Sequence, residues 1–265
     1  MAQGARCSNI SNHLLIFQIR LLGRRMLNKD TYEDLYKKEQ AFLRYPADWV
    51  LRFNNMYLKS KLPKKSKILD FGCGSGNNST IFIAQGHEVF GIDVTEAILP
   101  LVKKNLELHN LDPENIIRFT HAKAPLVNLP YEDNTFDFIL SNQVHYYSAS
   151  EQEIHDINKD LYRVLKPGGS FFVTMMGLKN YYITHHLKEL SQNAQVYKIR
   201  IADPSHRLFG VSEDVLAVRD ERHLRDLFDE FEPITVGYFD QSMFDLHSNF
   251  HFIFVGRKPE VQINL

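Results

Sequence analysis

The sequence predicts an α/β fold: an open, doubly wound sheet, mostly parallel, with helices on both faces. Three observations carry this expectation. The apolar pair Ile68-Leu69 ends in Asp70 and then in glycines at alternate positions, Gly72, Gly74 and Gly76. In an α/β sheet, a buried parallel strand ends in this way at a ligand-binding turn. A second run, Glu88-Val-Phe-Gly-Ile-Asp93, also ends in an acid. That acid lies about twenty residues past the first glycine, where a carboxylate can take a ribose diol. Strand and helix signals then alternate to about residue 175.

Taken in order, the chain opens with an extension, residues 1–29. It has no Asp or Glu but carries Arg6, Arg20, Arg24, Arg25 and Lys29 around an apolar segment, Leu14 to Leu22. Such composition fits a mitochondrial presequence, a plain extension, or an upstream start with Met26 as the internal one. Residues 30–60 read as helices, with Tyr32, Leu35, Tyr36 and Phe42, then Trp49, Val50, Phe53, Met56 and Tyr57, at helical spacings. Pro46 suits the opening of the second helix. Strands are expected over 67–71, 88–92, 116–120, 136–141 and 170–176, and helices over 77–85, 95–109 and 151–165. Asn77, Asn78, Ser79 and Thr80 are candidate caps for the first of these helices. The segment 177–219 reads as an insert with little strand alternation, helical from Gly177 and looped from Ala202. A helix over Glu221–Glu230 and strands over Ile234–Asp240 and Asn249–Gly256 close the chain.

Composition narrows the function. Lys and Arg total 31 against 32 Asp and Glu, a net charge of −1. That balance gives no global case for nucleic acid or an acidic membrane. Only Cys7 and Cys73 occur, so a disulfide framework is not expected and a reducing, cytoplasmic setting fits. No apolar run reaches the length of a membrane span.

The glycine turn separates the nucleoside cofactors. A dinucleotide fold commonly uses G-x-G-x-x-G to seat a pyrophosphate on a helix N-terminus. Here the pattern is D-x-G-x-G-x-G, and a carboxylate in the turn repels a pyrophosphate but attracts a sulfonium and an ammonium. The sequence therefore resembles the class I S-adenosylmethionine-dependent methyltransferases. Leu69–Gly76 matches their first motif and Val89–Asp93 their second. Leu129-Pro-Tyr-Glu-Asp-Asn-Thr-Phe-Asp-Phe-Ile-Leu140 and Leu161-Tyr-Arg-Val-Leu-Lys-Pro-Gly-Gly169 match the segments leading into strands four and five. The resemblance implies one Rossmann-like domain over 30–265, with a seven-stranded sheet closed by a C-terminal antiparallel hairpin. It also implies S-adenosylmethionine as cofactor and S-adenosylhomocysteine as product. Asp70, Gly72, Cys73, Gly74, Gly76, Asp93, Val94 and Asn142 are the expected cofactor contacts. For Cys73, a small filler in a tight turn is the alternative. An acid that often reads adenine in the family has no counterpart in Ala122–Asn128.

Methyl transfer needs alignment and exclusion of water, and a base only if the acceptor keeps its proton. The loop after strand four, Ser141-Asn-Gln-Val-His-Tyr-Tyr147, lacks the Asn/Asp-Pro-Pro-Tyr/Phe pattern of enzymes that methylate nucleobase amines. His145 is its one near-neutral titratable group and the candidate base, with packing within the loop as the alternative. Tyr146 and Tyr147, Tyr32 and Tyr36 from the N-terminal helices, and Tyr181, Tyr182, His206, Arg207 and Phe209 from a lid-like insert (177–219) are candidate acceptor contacts. No catalytic metal is expected. The expected partner is a small-molecule acceptor methylated at oxygen or nitrogen. The alternatives are a protein or RNA group, and a non-catalytic cofactor binder; a nicotinamide-dependent oxidoreductase is disfavoured by Asp70.

Overall fold

The computed structural model describes residues 29–190, 196–204, 209–242 and 248–260. The segment read as a presequence or extension lies outside them, apart from Lys29. Helix α1 covers residues 29–37 and α2 covers Asp48–Met56. Then follow β1 (Lys67–Phe71), α3 (Ser79–Ala84), β2 (Glu88–Asp93), α4 (Ile98–Leu108), β3 (Phe119–His121), β4 (Phe136–Ser141), α5 (Glu151–Val164) and β5 (Leu165–Met176). The chain continues through α6 (Tyr181–His185), β6 (Leu187–Leu190), β7 (Val196–Arg200), β8 (Ser212–Leu216), α7 (Glu221–Leu227), β9 (Glu232–Phe239) and β10 (His251–Arg257).

The seven-stranded sheet has the order β3-β2-β1-β4-β5-β10-β9. Only β10 runs against its neighbours. From the edge strand β3 the chain returns past β1 to form β4, so the order reverses between β1 and β4. Ligands of open α/β sheets bind outside the carboxyl ends of the strands at that switch point. Asp70 lies at the end of β1, and the turn at Ser141–Tyr147 leaves β4 beside it.

Strand alternation divides the core into two layers. Leu69 and Phe71 pack with Ile154, Ile157 and Leu161 of α5 and with Leu224 and Phe228 around α7. Ile68 packs on the other face with Val50 of α2, Phe82 of α3 and Val102 of α4. Asp70 shares the parity of Ile68, so its side chain belongs to the α3–α4 face.

The sequence reading needs correction in four places. Strand three is short and late, because Asp112 accepts a hydrogen bond from the Glu114 amide and starts a 3-10 turn over Pro113–Arg118. Helix α2 starts two residues after Pro46, with Ala47 as its N-cap. No side chain caps α3; instead Asn78 Oδ1 accepts from the Ala47 amide and Asn77 Nδ2 donates to the Tyr45 carbonyl, which fastens the 43–47 segment. The insert is not strand-poor: β6, β7 and β8 form an antiparallel sheet of their own, and the expected helix shrinks to the single turn α6, capped by Asn180.

Arg163 ties the two later sequence motifs together. From α5 it donates to the Leu129 and Tyr131 carbonyls and pairs with Asp133 and Asp160. The turn leading into β4 is thereby held to the helix leading into β5. Arg163→Met keeps the aliphatic stem and removes these bonds. Because the group is about one-third accessible, a loss of about 1–2 kcal/mol is expected in chemical denaturation. An unchanged midpoint would show that the turn holds without it.

Candidate active site

The glycine turn is built on β2. The Gly72 and Cys73 amides donate to the Ile92 carbonyl at 2.8 and 3.1 Å. The Gly74 amide donates to Asp93 Oδ2 at 2.9 Å, while Thr95 gives its amide and hydroxyl to Oδ1 at 3.0 and 2.8 Å. Asp70 Oδ2 accepts from the Ser79 hydroxyl at 2.6 Å. Asp70 is 1% exposed and Asp93 8%. Burial pushes the Asp70 carboxyl up to about 7, with the Asp93 charge adding to the effect and the Ser79 bond opposing it. Burial raises Asp93 as well, against the bonds from Gly74 and Thr95. Among the described residues, no cation pairs with either.

Two of the glycines have no room for a side chain. Gly72 (φ +71°) would put a Cβ 2.2 Å from Val144 Cγ2, and Gly74 (φ +50°) would put one 2.5 Å from the Tyr36 hydroxyl. The turn is thus pressed by the loop after β4 on one side and by α1 on the other. Cys73 contributes its backbone; its thiol is buried toward Gly91 of β2, the filler reading. Val94, half-buried, packs at the edge of the α5–α7 layer.

Helix α1 crosses this end of the sheet. Glu33 accepts from the Glu96 and Ala97 amides at 2.9 and 3.4 Å, occupying donors at the start of α4. Glu39 pairs with Lys104 of α4. The Tyr32 hydroxyl bonds the Tyr147 hydroxyl, joining α1 to the loop after β4. Leu35 packs with Ile201, Val211 and Tyr182, so the insert leans on α1. Tyr32, Tyr36, Tyr146 and Tyr147 therefore come together. Asn142 Oδ1 is already engaged by the Trp49 indole at 2.7 Å and the Thr174 hydroxyl at 3.2 Å.

His145 is corrected from base to core residue. It is 1% exposed and lies among Phe71, Phe171 and Phe228, on the sheet face opposite Asp70. Its Nδ1 is bonded to the Ser141 hydroxyl at 2.7 Å. Burial pulls its pKa down to about 3. The 3-10 turn over His145–Tyr147 rotates successive side chains apart, so Tyr147 meets α1 while His145 enters the core. In the insert, Tyr182 packs near α1, Tyr181 meets His185 at a tilt and His186 edge-on, and Phe209 is 56% exposed. Phe209 is thus on the surface, and His206 and Arg207 fall outside the described residues. Ser79 was read only as a cap, and Thr95, Glu33 and Val144 went unread as site residues. Thr95, two residues past a strand-end aspartate, carried a local signal; the others carried none.

Residues 69–173 match a family model described as a methyltransferase domain. The chain is 31% identical to squalene methyltransferase 1 of Botryococcus braunii over 51% of this chain and 34% of that protein. It is 37% identical to a demethylmenaquinone methyltransferase of Staphylococcus saprophyticus over 39% of this chain and 42% of that protein. The chain thus spans about a third to a half of the length of the curated relatives it matches. A solved S-adenosylmethionine-dependent methyltransferase of Methanosarcina mazei superposes with a TM-score of 0.58 at 22% identity, covering 77% of this chain and 97% of that one.

The His145 correction has a pH signature. Its folded pKa lies below the ordinary histidine value of about 6.5, so the unfolded chain binds more protons between those values. Its contribution to stability is full above pH 6.5 and is lost as pH falls toward 3, at up to about 1.4 kcal/mol per unit. Denaturant melts of wild type and His145→Gln from pH 7 to 4 should show a shallower decline in the variant. The part due to His251, lowered by burial to about 4, should remain. Identical slopes would return His145 to the solvent side.

Proposed function

We propose that the protein moves a methyl group from S-adenosylmethionine to an oxygen or nitrogen of a small molecule, starting from the match of residues 69–173 to the methyltransferase domain model. The observation that carries this reading is the pair of buried carboxylates at the ends of β1 and β2. Leaving two such charges without a cation is costly, which is why burial raises both pKa values. A ligand bearing a sulfonium and an ammonium suits Asp70, and a ribose diol suits the lone-pair capacity that Asp93 keeps after three accepted bonds. The glycine turn, with no space for a Cβ at 72 or 74, admits only close backbone contact.

S-adenosylmethionine supplies a methyl group on a good leaving group, so the residues of this chain have to align the partners and exclude water. Tyr36 and the Tyr32–Tyr147 bond close α1 over the turn, which fits water exclusion. Asn142 has its oxygen engaged, so its amide Nδ2 is what it can offer a ligand. Val144 fixes the loop after β4 against Gly72. A small-molecule acceptor is supported by the names of the relatives, which act on squalene and demethylmenaquinone; squalene is a hydrocarbon, so these names support the size of the acceptor and not its oxygen or nitrogen. Among the described residues, no helix is long and apolar enough to cross a membrane.

Calorimetry with S-adenosylmethionine in buffers of different ionisation enthalpy tests the reading. A cation beside Asp70 favours its charged form, so binding should release protons below about pH 7 and cease to do so well above it. Asp70→Asn should abolish the release. Asp93→Ala should weaken binding by about 1.5–3 kcal/mol for each charged hydrogen bond lost. Buffer-independent heats, or undiminished affinity in Asp93→Ala, would remove the assignment.

A further inference from the structure

Asn142 stands where three elements meet. It lies two residues past Leu140, the register partner of Asp70, so it continues the row of side chains on the Asp70 face of the sheet. From α2, the Trp49 indole donates to Asn142 Oδ1 at 2.7 Å. From β5, the Thr174 hydroxyl accepts the Gln143 amide at 2.7 Å, which leaves its own hydrogen for Asn142 Oδ1 at 3.2 Å. Gln143 sits at φ +60°, a conformation uncommon outside glycine, and the Thr174 bond holds the loop in it. The indole is itself fixed in plane. It stacks on Phe239 of β9 at 3.6 Å between centroids and 8°, and Phe239 stacks in turn on His251 of β10.

An indole N–H can only donate, so the Asn142 atom facing it has to be the carbonyl oxygen. The amide nitrogen then faces away from Trp49. Among the described residues no acceptor takes it, and it is not sealed in the core. A free amide donor on the Asp70 face, at the carboxyl end of β4, suits the carboxylate of an amino acid whose ammonium Asp70 attracts. Building on the methyltransferase reading, we infer that Trp49 is a positioning residue for the cofactor: it locks the Asn142 amide with Nδ2 toward the ligand, where Nδ2 donates to the α-carboxylate of S-adenosylmethionine. Without the indole donor the amide is free to turn over, and its oxygen would meet that carboxylate as a second acceptor. Helix α2 thus takes part in reading the amino-acid end of the cofactor through Asn142, with no ligand contact of its own.

The test uses the full chain and calorimetry with two probes, S-adenosylhomocysteine and 5′-methylthioadenosine. Both carry adenosine and a thioether sulfur, and only the first carries the amino acid. Trp49→Phe keeps a ring for the stack on Phe239 and removes the N–H. It should weaken S-adenosylhomocysteine binding about tenfold, the worth of one charge-assisted hydrogen bond, and leave 5′-methylthioadenosine affinity unchanged. With Asn142→Ala already in place, Trp49→Phe should cost nothing more, because the two act through one group. Equal losses for both probes would make Trp49 a general prop of the fold and overturn the inference. Undiminished S-adenosylhomocysteine affinity, or losses that add in the double variant, would overturn it too. Trp49 is the single tryptophan of the chain, so its indole N–H gives one resonance. If the variant does not fold, that resonance in wild type decides: it should shift with S-adenosylhomocysteine and stay with 5′-methylthioadenosine, and equal shifts or none would defeat the positioning role alone. Wild type that does not bind S-adenosylhomocysteine defeats the methyltransferase reading, and this inference with it.

Discussion

Asp93 takes the Gly74 amide on one carboxylate oxygen and both donors of Thr95 on the other. Asp70 takes the Ser79 hydroxyl at the first turn of α3. These bonds fix the glycine turn between β1 and β2, but they leave two charged groups buried without a cation. Much of the surrounding structure answers to that constraint. Gly72 and Gly74 let the backbone run close to the carboxylates, Val144 and Tyr36 press on the turn from either side, and α1 is fastened across it by Glu33 and Tyr32. Hydrogen bonds to the charged forms offset part of the desolvation and cannot remove it. The remaining demand for positive charge is what the proposed ligand would meet.

Topology explains why this demand arises here. The strand order reverses between β1 and β4, so the helices after those strands diverge and leave the strand ends uncovered by regular structure. Helix α1 and the insert fill that gap from opposite ends of the chain, meeting through Leu35, Ile201 and Tyr182. The proposed acceptor side is therefore made of segments remote from the glycine turn. This is the usual division between a scaffold and the loops that carry specificity.

The glycine turn and its two strand-end acids were legible in the sequence for a physical reason. Turn chemistry is local, and Asp70, the alternate glycines and Asp93 state it within a few residues of one another. β1 and β4 fall where the apolar runs put them, because strands buried on both faces have few alternatives. The acceptor half was not legible. β7 carries Lys198 and Arg200 among its apolar residues, and its burial pattern is broken, since the core that takes Val196 and Ile199 is built from segments far along the chain. His145 was misread because position in the loop was taken for direction: one 3-10 turn separates a histidine in the core from a tyrosine facing α1.

Hydrogen exchange with and without S-adenosylhomocysteine tests most directly whether the carboxylate-bearing end of the sheet is the ligand site. The competing location is the groove of about 520 Å³ between α2 and the β9–β10 pair, lined by Trp49, Phe53, Met56 and Phe239. Protection should concentrate in 72–76, 93–95 and 142–147, and spread to α1 over 29–37 as its contacts with the turn tighten. Protection confined to 48–56 and 235–241, with the glycine turn exchanging as before, would contradict the account.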